Sequence, residues 1–182
     1  MAAADELQLI AEAKRSNHAA FRTLVERYMR QAYNIAYGYV NNHDDAADIV
    51  QESFVRVYRA LPSFRGEAEF GTWLYRIVTN QSLNAVKRKS TSARREISLD
   101  DADRLPGQNP DELFRGEHRE LLERALHELP TLQRAAVILR HLNGLSTRQV
   151  SGILRCSEGT VKTHLHRGLK KLKNKLEVIN NS

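Results

Sequence analysis

The feature that most constrains the fold is the spacing of apolar residues, which recur at helical intervals along nearly the whole chain of 182 residues. Proline and glycine, which interrupt helices, are sparse at four and nine residues. No segment shows the sustained alternation of apolar and polar residues that is typical of a strand. The sequence therefore predicts an all-α protein.

One stretch breaks this pattern, STSARREISLDDADRLPGQNPDE at residues 90–112. It is rich in Ser, Asp, Pro and Gly, lacks helical periodicity and is too long for an ordinary helix connection. We predict two small helical domains, residues 1–89 and 113–182, joined by this flexible linker. The predicted helices lie near residues 5–15, 18–40, 44–60, 69–89, 112–128, 131–142, 146–154 and 157–175.

Positive charge is concentrated at the C-terminal end. The formal net charge is +6, and residues 129–182 carry ten Lys and Arg against two Asp and Glu. This distribution is typical of a nucleic-acid-binding surface, although a solvated basic face without a partner is the alternative. The single cysteine, Cys156, rules out an internal disulfide framework. The chain has no apolar run of about 18 residues that would enter a membrane, so we expect a cytoplasmic protein.

The last predicted helix, within CSEGTVKTHLHRGLKK at 156–171, has two different faces. With Ser157 as the N-cap, an apolar stripe faces inward and a cationic face points outward. Gly159 lies on the outer face, where it costs about 1 kcal/mol of helix propensity relative to alanine. The inner stripe comprises Val161, Leu165, Gly168, Leu169, Leu172 and Leu176, and the outer face Lys162, Thr163, His166, Arg167 and Lys170.

Together with the preceding helix and a turn at Arg155 and Cys156, this helix forms a helix-turn-helix motif. Its outer face can enter a major groove, where cationic side chains meet phosphates or guanine edges. The alternative to DNA binding is a structural helix of a bundle whose basic face is exposed to solvent. Cys156 with His164 and His166 does not predict a zinc site, because no second ligand pair follows at metal spacing.

The helix predicted at 44–60 carries a valine in the middle of an acidic and polar face. Its opposite stripe is apolar and predicted to be buried, comprising Ala46, Val50, Ser53, Phe54, Val57 and Leu61. The outward face comprises Asp48, Gln51, Glu52, Val55 and Arg59. Such a valine is typical of the apolar centre of a protein contact, and an incidental exposed aliphatic is the alternative.

The next segment, FRGEAEFGTWLYRIVTNQSLNAVKRK at 64–89, carries groups suited to unpaired bases. Asn80 and Asn84 lie one helical turn apart, so their amides can read base edges side by side. Phe64 and Arg65, in a glycine-containing loop, can stack on a base. Trp73 is expected in the core whatever else it does. On the other side, Tyr75, Leu83 and Val86 are predicted to pack on an adjacent helix, with a partner protein as the alternative.

The order of these motifs resembles the extracytoplasmic-function family of bacterial RNA polymerase sigma factors. The resemblance covers about residues 18 to 173 and rests on DIVQESFVRVYRAL, SFRG, TWLYRIVTNQSLN, LPTLQRAAVILRHLNGLS and CSEGTVKTHLHRGLKKL. It implies a region 2 that binds core polymerase and opens the minus 10 promoter element, and a region 4 that binds the minus 35 element. It implies the β′ and β subunits, promoter DNA and an anti-sigma factor as partners, with no enzymatic activity, cofactor, metal or membrane insertion.

The resemblance also implies roles for individual residues. The residues that grip the coiled coil of β′ are Asp48, Gln51, Glu52 and Val55. The minus 10 residues are Phe64, Arg65, Trp73, Asn80, Asn84 and Arg88. The minus 35 residues are Glu158, Gly159, Thr160, Lys162, Thr163, His166, Arg167 and Lys170. The sequence departs from the family pattern at Gly152 and Arg155, where a helix former and a glycine are more usual.

Two other functions are compatible with parts of the sequence. SEGTVKTHL also resembles the DNA-binding domain of LuxR-type response regulators, but residues 1–89 show neither alternating strands nor a phosphate-accepting acidic cluster. An enzyme acting on nucleic acid would need paired carboxylates, a metal cluster, an activated nucleophile or a phosphate loop, and none stands out.

Overall fold

A computed structural model describes residues 2–95 and 121–180, here called the first and second regions. The described residues contain no strand, which confirms the all-α prediction. A 3₁₀ turn, Leu61–Ser63, follows α3, and α6 continues directly into a π-helical segment, Ile138–Leu142. The helices are α1 (Ala2–Lys14), α2 (His18–Val40), α3 (His43–Ala60), α4 (Phe70–Arg95), α5 (121–127), α6 (Thr131–Val137), α7 (Thr147–Leu154) and α8 (Glu158–Asn180).

Two helices run further than the sequence predicts. α4 continues to Arg95, six residues beyond the predicted end at 89, and α8 continues to Asn180. The sequence of this extension contains neither glycine nor proline, so nothing in it interrupts the helix. The rest of the predicted linker, and the predicted helix at 112–128 up to residue 120, lie outside the described residues.

The first region is a bundle of α1 to α4 around one apolar core. The side chain of Asn17 caps α2 by accepting hydrogen bonds from the backbone N–H groups of Ala19 and Ala20, a cap worth about 1 kcal/mol. α2 ends at Asn41, whose left-handed φ of 50° stops the helix. The stripe predicted on α3 is buried throughout. Tyr75 packs on α2, where its hydroxyl donates to Gln31 Oε1 at 3.1 Å, as predicted for an adjacent helix.

The second region contains the predicted helix-turn-helix. Ser146 and Gln149 form a capping box at the start of α7, and Arg155 ends that helix with φ 54°. In α8, one predicted core residue is wrong: Leu169 is 37% exposed. Contact with α6 centres on Gly168, where an added Cβ would lie 3.0 Å from Val137 Cγ2, and Leu169 falls at the edge of this contact.

The two regions pack directly against each other. α7 lies against α4, and the π-helical segment lies against α2. Buried apolar residues from both regions form one continuous cluster, with Leu74 and Val78 on one side and Ile138 and Val150 on the other. None of the helices in 2–95 and 121–180 is long and apolar enough to cross a bilayer.

Candidate functional site

The outward face of α3 is fully available to a partner. Asp48, Gln51, Glu52 and Val55 are all exposed, at helical spacings of three and four residues. They are presented outward because the opposite side of α3 is anchored in the core. The structure therefore brings together the four residues that the resemblance assigns to polymerase binding.

Beside this face runs an apolar groove between α2 and α3, with a volume of about 660 Å³. Val55 is 43% exposed at its edge, and Met29 on the α2 side is 41% exposed. The α2 wall also includes Phe21, Val25 and Tyr33, and sequence reasoning missed this half of the surface. The signal was present, because these four residues recur at intervals of four along one face of α2.

Glu52 connects the α3 face to α4. Its carboxylate accepts a hydrogen bond from Arg56 at 2.6 Å, and this bond lowers the pKa of Glu52. Arg88 on α4 adds a smaller attraction. The ionised Glu52 is therefore held in an ion pair with Arg56 on the surface beside the groove.

The loop between the 3₁₀ turn and α4 holds a second candidate surface. The Phe64 ring lies 4.7 Å from the Trp73 ring, centroid to centroid, and Lys14 donates a hydrogen bond to the Phe64 carbonyl. A cleft of about 360 Å³ opens here, lined by Phe64, Arg65, Trp73 and Arg76 among others. Phe64 and Trp73 are half-buried and Arg65 is exposed. Sequence reasoning missed Arg76, because its spacing gives no hint that it faces the cleft.

Three predicted minus 10 residues continue from this cleft along one edge of α4. Asn80, Asn84 and Arg88 are exposed and lie at intervals of four residues. Residues 81 and 82, which lie between Asn80 and Asn84 in the sequence, are buried, so the exposed edge of α4 is narrow. The amides of Asn80 and Asn84 are thus presented side by side, with Arg88 one turn further.

Most of the predicted minus 35 residues are exposed to solvent on the outer face of α8. Thr160 is half-buried and differs from the others, because its hydroxyl lies 2.8 Å from Ser157 Oγ and its backbone N–H donates to the same oxygen at 3.0 Å. Thr163 donates its hydroxyl hydrogen to the Gly159 carbonyl at 3.0 Å. The exposed members are Glu158, Gly159, Lys162, Thr163, His166, Arg167 and Lys170.

Gly159 has no role in packing. A Cβ added there would meet only Ser157 Oγ, at 3.7 Å, which is ordinary van der Waals contact. The fold would therefore accept alanine, which favours helix. The packing of the described residues therefore gives no reason for a glycine at this exposed position.

The described stretches contain no group of three or more His, Cys, Asp or Glu that could hold a metal ion. Cys156 is half-buried at the turn, and burial raises the pKa of its thiol. Its environment thus favours the neutral thiol over the reactive thiolate.

Family models and relatives account for both regions. Residues 24–91 match the model of Sigma-70 region 2, and residues 119–172 match that of Sigma-70, region 4. The ECF RNA polymerase sigma-E factor of Salmonella typhimurium is 34% identical over 93% of both chains, and that of Escherichia coli strain K12 is 33% identical over the same shares. The chain belongs to the extracytoplasmic-function sigma factors. This sigma factor acts in promoter recognition and transcription initiation.

Solved structures agree with the fold of the sigma factor. CnrH, solved in complex with the cytosolic domain of CnrY, superposes with a TM-score of 0.73 at 27% identity, over 96% of this chain and 98% of that one. RpoE of Bartonella quintana, solved with the anti-sigma factor NepR, gives 0.67 at 22% identity, over 87% and 97%. The response-regulator alternative is set aside, because region 2 occupies the first half of the sigma factor.

Proposed function

We propose that this sigma factor holds the core polymerase with the α2–α3 groove and the exposed face of α3. The observation that carries the proposal is the apolar groove beside Gln51 and Val55. An apolar groove between two helices suits a helical partner such as the coiled coil of β′. Asp48 adds negative charge that would favour a basic residue on the partner, and Glu52 would offer its carboxylate by exchanging Arg56 for such a residue. Contact with the β subunit belongs to the same proposal, without residues assigned to it.

The cleft and the edge of α4 are proposed to open and read the minus 10 element. Phe64, Arg65 and Trp73 offer aromatic and cationic surfaces on which an extruded base can stack. Asn80 and Asn84 would read neighbouring bases through paired hydrogen bonds, and Arg88 would add a phosphate contact. Capture of an unstacked base offsets its unpairing cost of a few kcal/mol, so binding alone can drive melting.

The minus 35 element is proposed to bind the outer face of α8. The cationic side chains of Lys162, Arg167 and Lys170 face outward and would meet phosphates or guanine edges. Thr163 and His166, which are exposed on the same face, would contact bases. Thr160 takes part mainly by completing the cap, which holds the first N–H groups of α8 in place. The bare backbone at Gly159 lets DNA approach closely.

The proposal also covers the division of the chain into functional units, its location in the cell and a further protein partner. We propose two functional units, 1–89 and 113–182, on a linker at 90–112, in a cytoplasmic protein that is not an enzyme. The polymerase supplies the chemistry of RNA synthesis. An anti-sigma factor is proposed as a further partner, because the similar structure of RpoE was solved with the anti-sigma factor NepR and that of CnrH with another protein, the cytosolic domain of CnrY.

The test separates minus 10 reading from polymerase binding. Promoters would first be found by mapping transcript starts after overexpression. Asn80→Ala or Asn84→Ala should then weaken promoter opening by about 1–3 kcal/mol, roughly 5- to 150-fold. Polymerase affinity should stay unchanged, because neither side chain lies in the groove. Gln8→Ala removes an exposed amide on α1 and serves as the matched control. Loss of polymerase affinity equal to the loss of promoter opening would contradict the assignment.

A further inference from the structure

Lys14, the last residue of α1, contacts Phe64 in the cleft that is proposed to take the extruded base, here called the base cleft. Its ammonium group donates a hydrogen bond to the Phe64 carbonyl oxygen and lies 5.7 Å from the centre of the Phe64 ring. The second distance is within the range of a cation–π interaction. One side chain therefore contacts both the backbone and the ring of Phe64, across 50 positions of the sequence.

The backbone that carries Lys14 is well anchored. The preceding residue, Ala13, is buried in the core at 4% exposure. After Lys14 the chain turns at once, because the Ser16 N–H donates to the Ala13 carbonyl at 3.0 Å and the Asn17 side chain caps α2. Lys14 itself is half-buried, so its side chain reaches Phe64 from a fixed position at the end of α1.

Both backbone polar groups of Phe64 have a partner. Its N–H donates to the Leu61 carbonyl at 3.1 Å, which closes the 3₁₀ turn, and its carbonyl accepts from Lys14. Beyond Phe64 the chain runs without helix to α4, and Gly66 adopts a φ of 73° on the way. The hydrogen bond from Lys14 therefore fixes the point at which this loop leaves the turn.

The position of the Phe64 ring shapes the base cleft. The ring lies 4.7 Å from the Trp73 ring and 5.8 Å from the Phe70 ring, centroid to centroid, with its edge toward Phe70. Phe64 and Trp73 line the cleft, whereas Lys14 is not among the residues that line it. An effect of Lys14 on a stacked base would therefore pass through Phe64.

We propose that Lys14 is a positioning residue for base capture, because it holds Phe64 against Trp73 in the arrangement on which the extruded base stacks. This inference rests on the proposed function of the base cleft. A hydrogen bond from a charged donor fixes Phe64 before the base arrives, so less ordering is left to the binding step. The inference extends promoter opening to α1, although Lys14 precedes the segment that matches region 2, residues 24–91.

Three variants of the full chain separate this role from a general effect of charge. Lys14→Met keeps the apolar stem but removes the charge and the donors, and Lys14→Arg keeps both. Arg15→Met is the matched control, because it removes the same charge from the adjacent, exposed position. Each variant would be assembled with core polymerase and assayed for opening of a promoter found by mapping transcript starts.

Lys14→Met should lower promoter opening by about tenfold, equivalent to about 1.4 kcal/mol, which is close to the contribution of one hydrogen bond with a charged group. Lys14→Arg and Arg15→Met should stay within about threefold of wild type. Polymerase affinity should be unchanged in all three, because neither position lies in the α2–α3 groove. A loss in Arg15→Met as large as that in Lys14→Met would reveal an effect of charge alone and overturn the inference.

Abasic promoters separate base capture from a phosphate contact. Each non-template position of the minus 10 element would be replaced in turn by an abasic nucleotide. With wild type, at least one replacement should lower opening by about fivefold or more, because base stacking is lost. On that promoter the defect of Lys14→Met should disappear. A defect that persists on every abasic promoter would indicate a phosphate contact and overturn the inference. A wild-type protein that tolerates every replacement would instead count against the proposed function, so the two failures are distinguishable.

Trp73 provides a second readout, because it is the only tryptophan of the chain. In the free protein, quenching of its fluorescence by acrylamide should increase about twofold in Lys14→Met, because the Phe64 ring that packs 4.7 Å away is released. Arg15→Met should leave the quenching unchanged. Equal quenching in Lys14→Met and wild type would mean that Phe64 stays in place without Lys14, which would overturn the inference.

Discussion

Replacing Val55 by aspartate should separate polymerase binding from stability. Complete burial of a valine contributes about 1.5–3 kcal/mol, so a partner that covers the 43% still exposed gains about 1 kcal/mol. A carboxylate in the same position would be desolvated without a partner, which costs roughly 1–3 kcal/mol more. We therefore expect polymerase affinity to fall by about 2–4 kcal/mol, roughly 30- to 1,000-fold.

The fold should lose much less. The part of Val55 that packs on the groove walls contributes about 1 kcal/mol, and the aspartate itself can stay hydrated in the free protein. Unfolding in urea, followed by circular dichroism, would measure this loss. Affinity for core polymerase would be measured by competition with labelled wild-type sigma factor.

The matched control is Leu7→Asp. Leu7 is an aliphatic residue on α1, 68% exposed and outside the groove, so this variant adds the same charge elsewhere on the same bundle. Its polymerase affinity should stay within about threefold of wild type. Equal affinities for the two variants, or a Val55→Asp protein that binds like wild type, would refute the assignment of the groove.

Two further predictions concern the second region. Gly159→Ala should raise the unfolding free energy by up to about 1 kcal/mol, because a Cβ fits there without a clash and alanine favours helix. The same variant should lower affinity for minus 35 DNA. Calorimetry would measure the first effect and fluorescence anisotropy the second, and unchanged affinity would contradict close backbone approach. Burial, reinforced by Arg134, lowers the pKa of His127 below its ordinary 6.5, so the unfolded chain takes up the proton first and stability should decrease as the pH falls below about 6.5. His127→Gln should remove this component from urea titrations between pH 5 and 7.5, and an unchanged slope would contradict it.

Local sequence patterns predicted the helices and their caps because these depend on nearby residues. The predicted N-cap at Ser157, for example, is a local hydrogen bond from the backbone N–H three residues further along the chain. The outward face of α3 followed from its buried stripe.

Features that depend on contacts distant in sequence could not be predicted in this way. The four-residue spacing on α2 indicates an apolar face, but the groove forms only because that face lies beside α3. The place of Arg76 likewise depends on the path of the 64–69 loop. The contact of Gly38 with Ile138 joins residues 100 positions apart. Leu169 follows the α8 periodicity, but the width of the α6 contact leaves it exposed.

Photocrosslinking within the complex of sigma factor, polymerase and promoter tests the central assignment most directly. A photoreactive amino acid would replace Val55, Asn84 or Thr163, one at a time, on three exposed surfaces. We predict that position 55 crosslinks to β′, position 84 to the minus 10 non-template strand and position 163 to the minus 35 duplex. Crosslinks from position 55 to DNA, or from positions 84 and 163 to protein alone, would contradict the account.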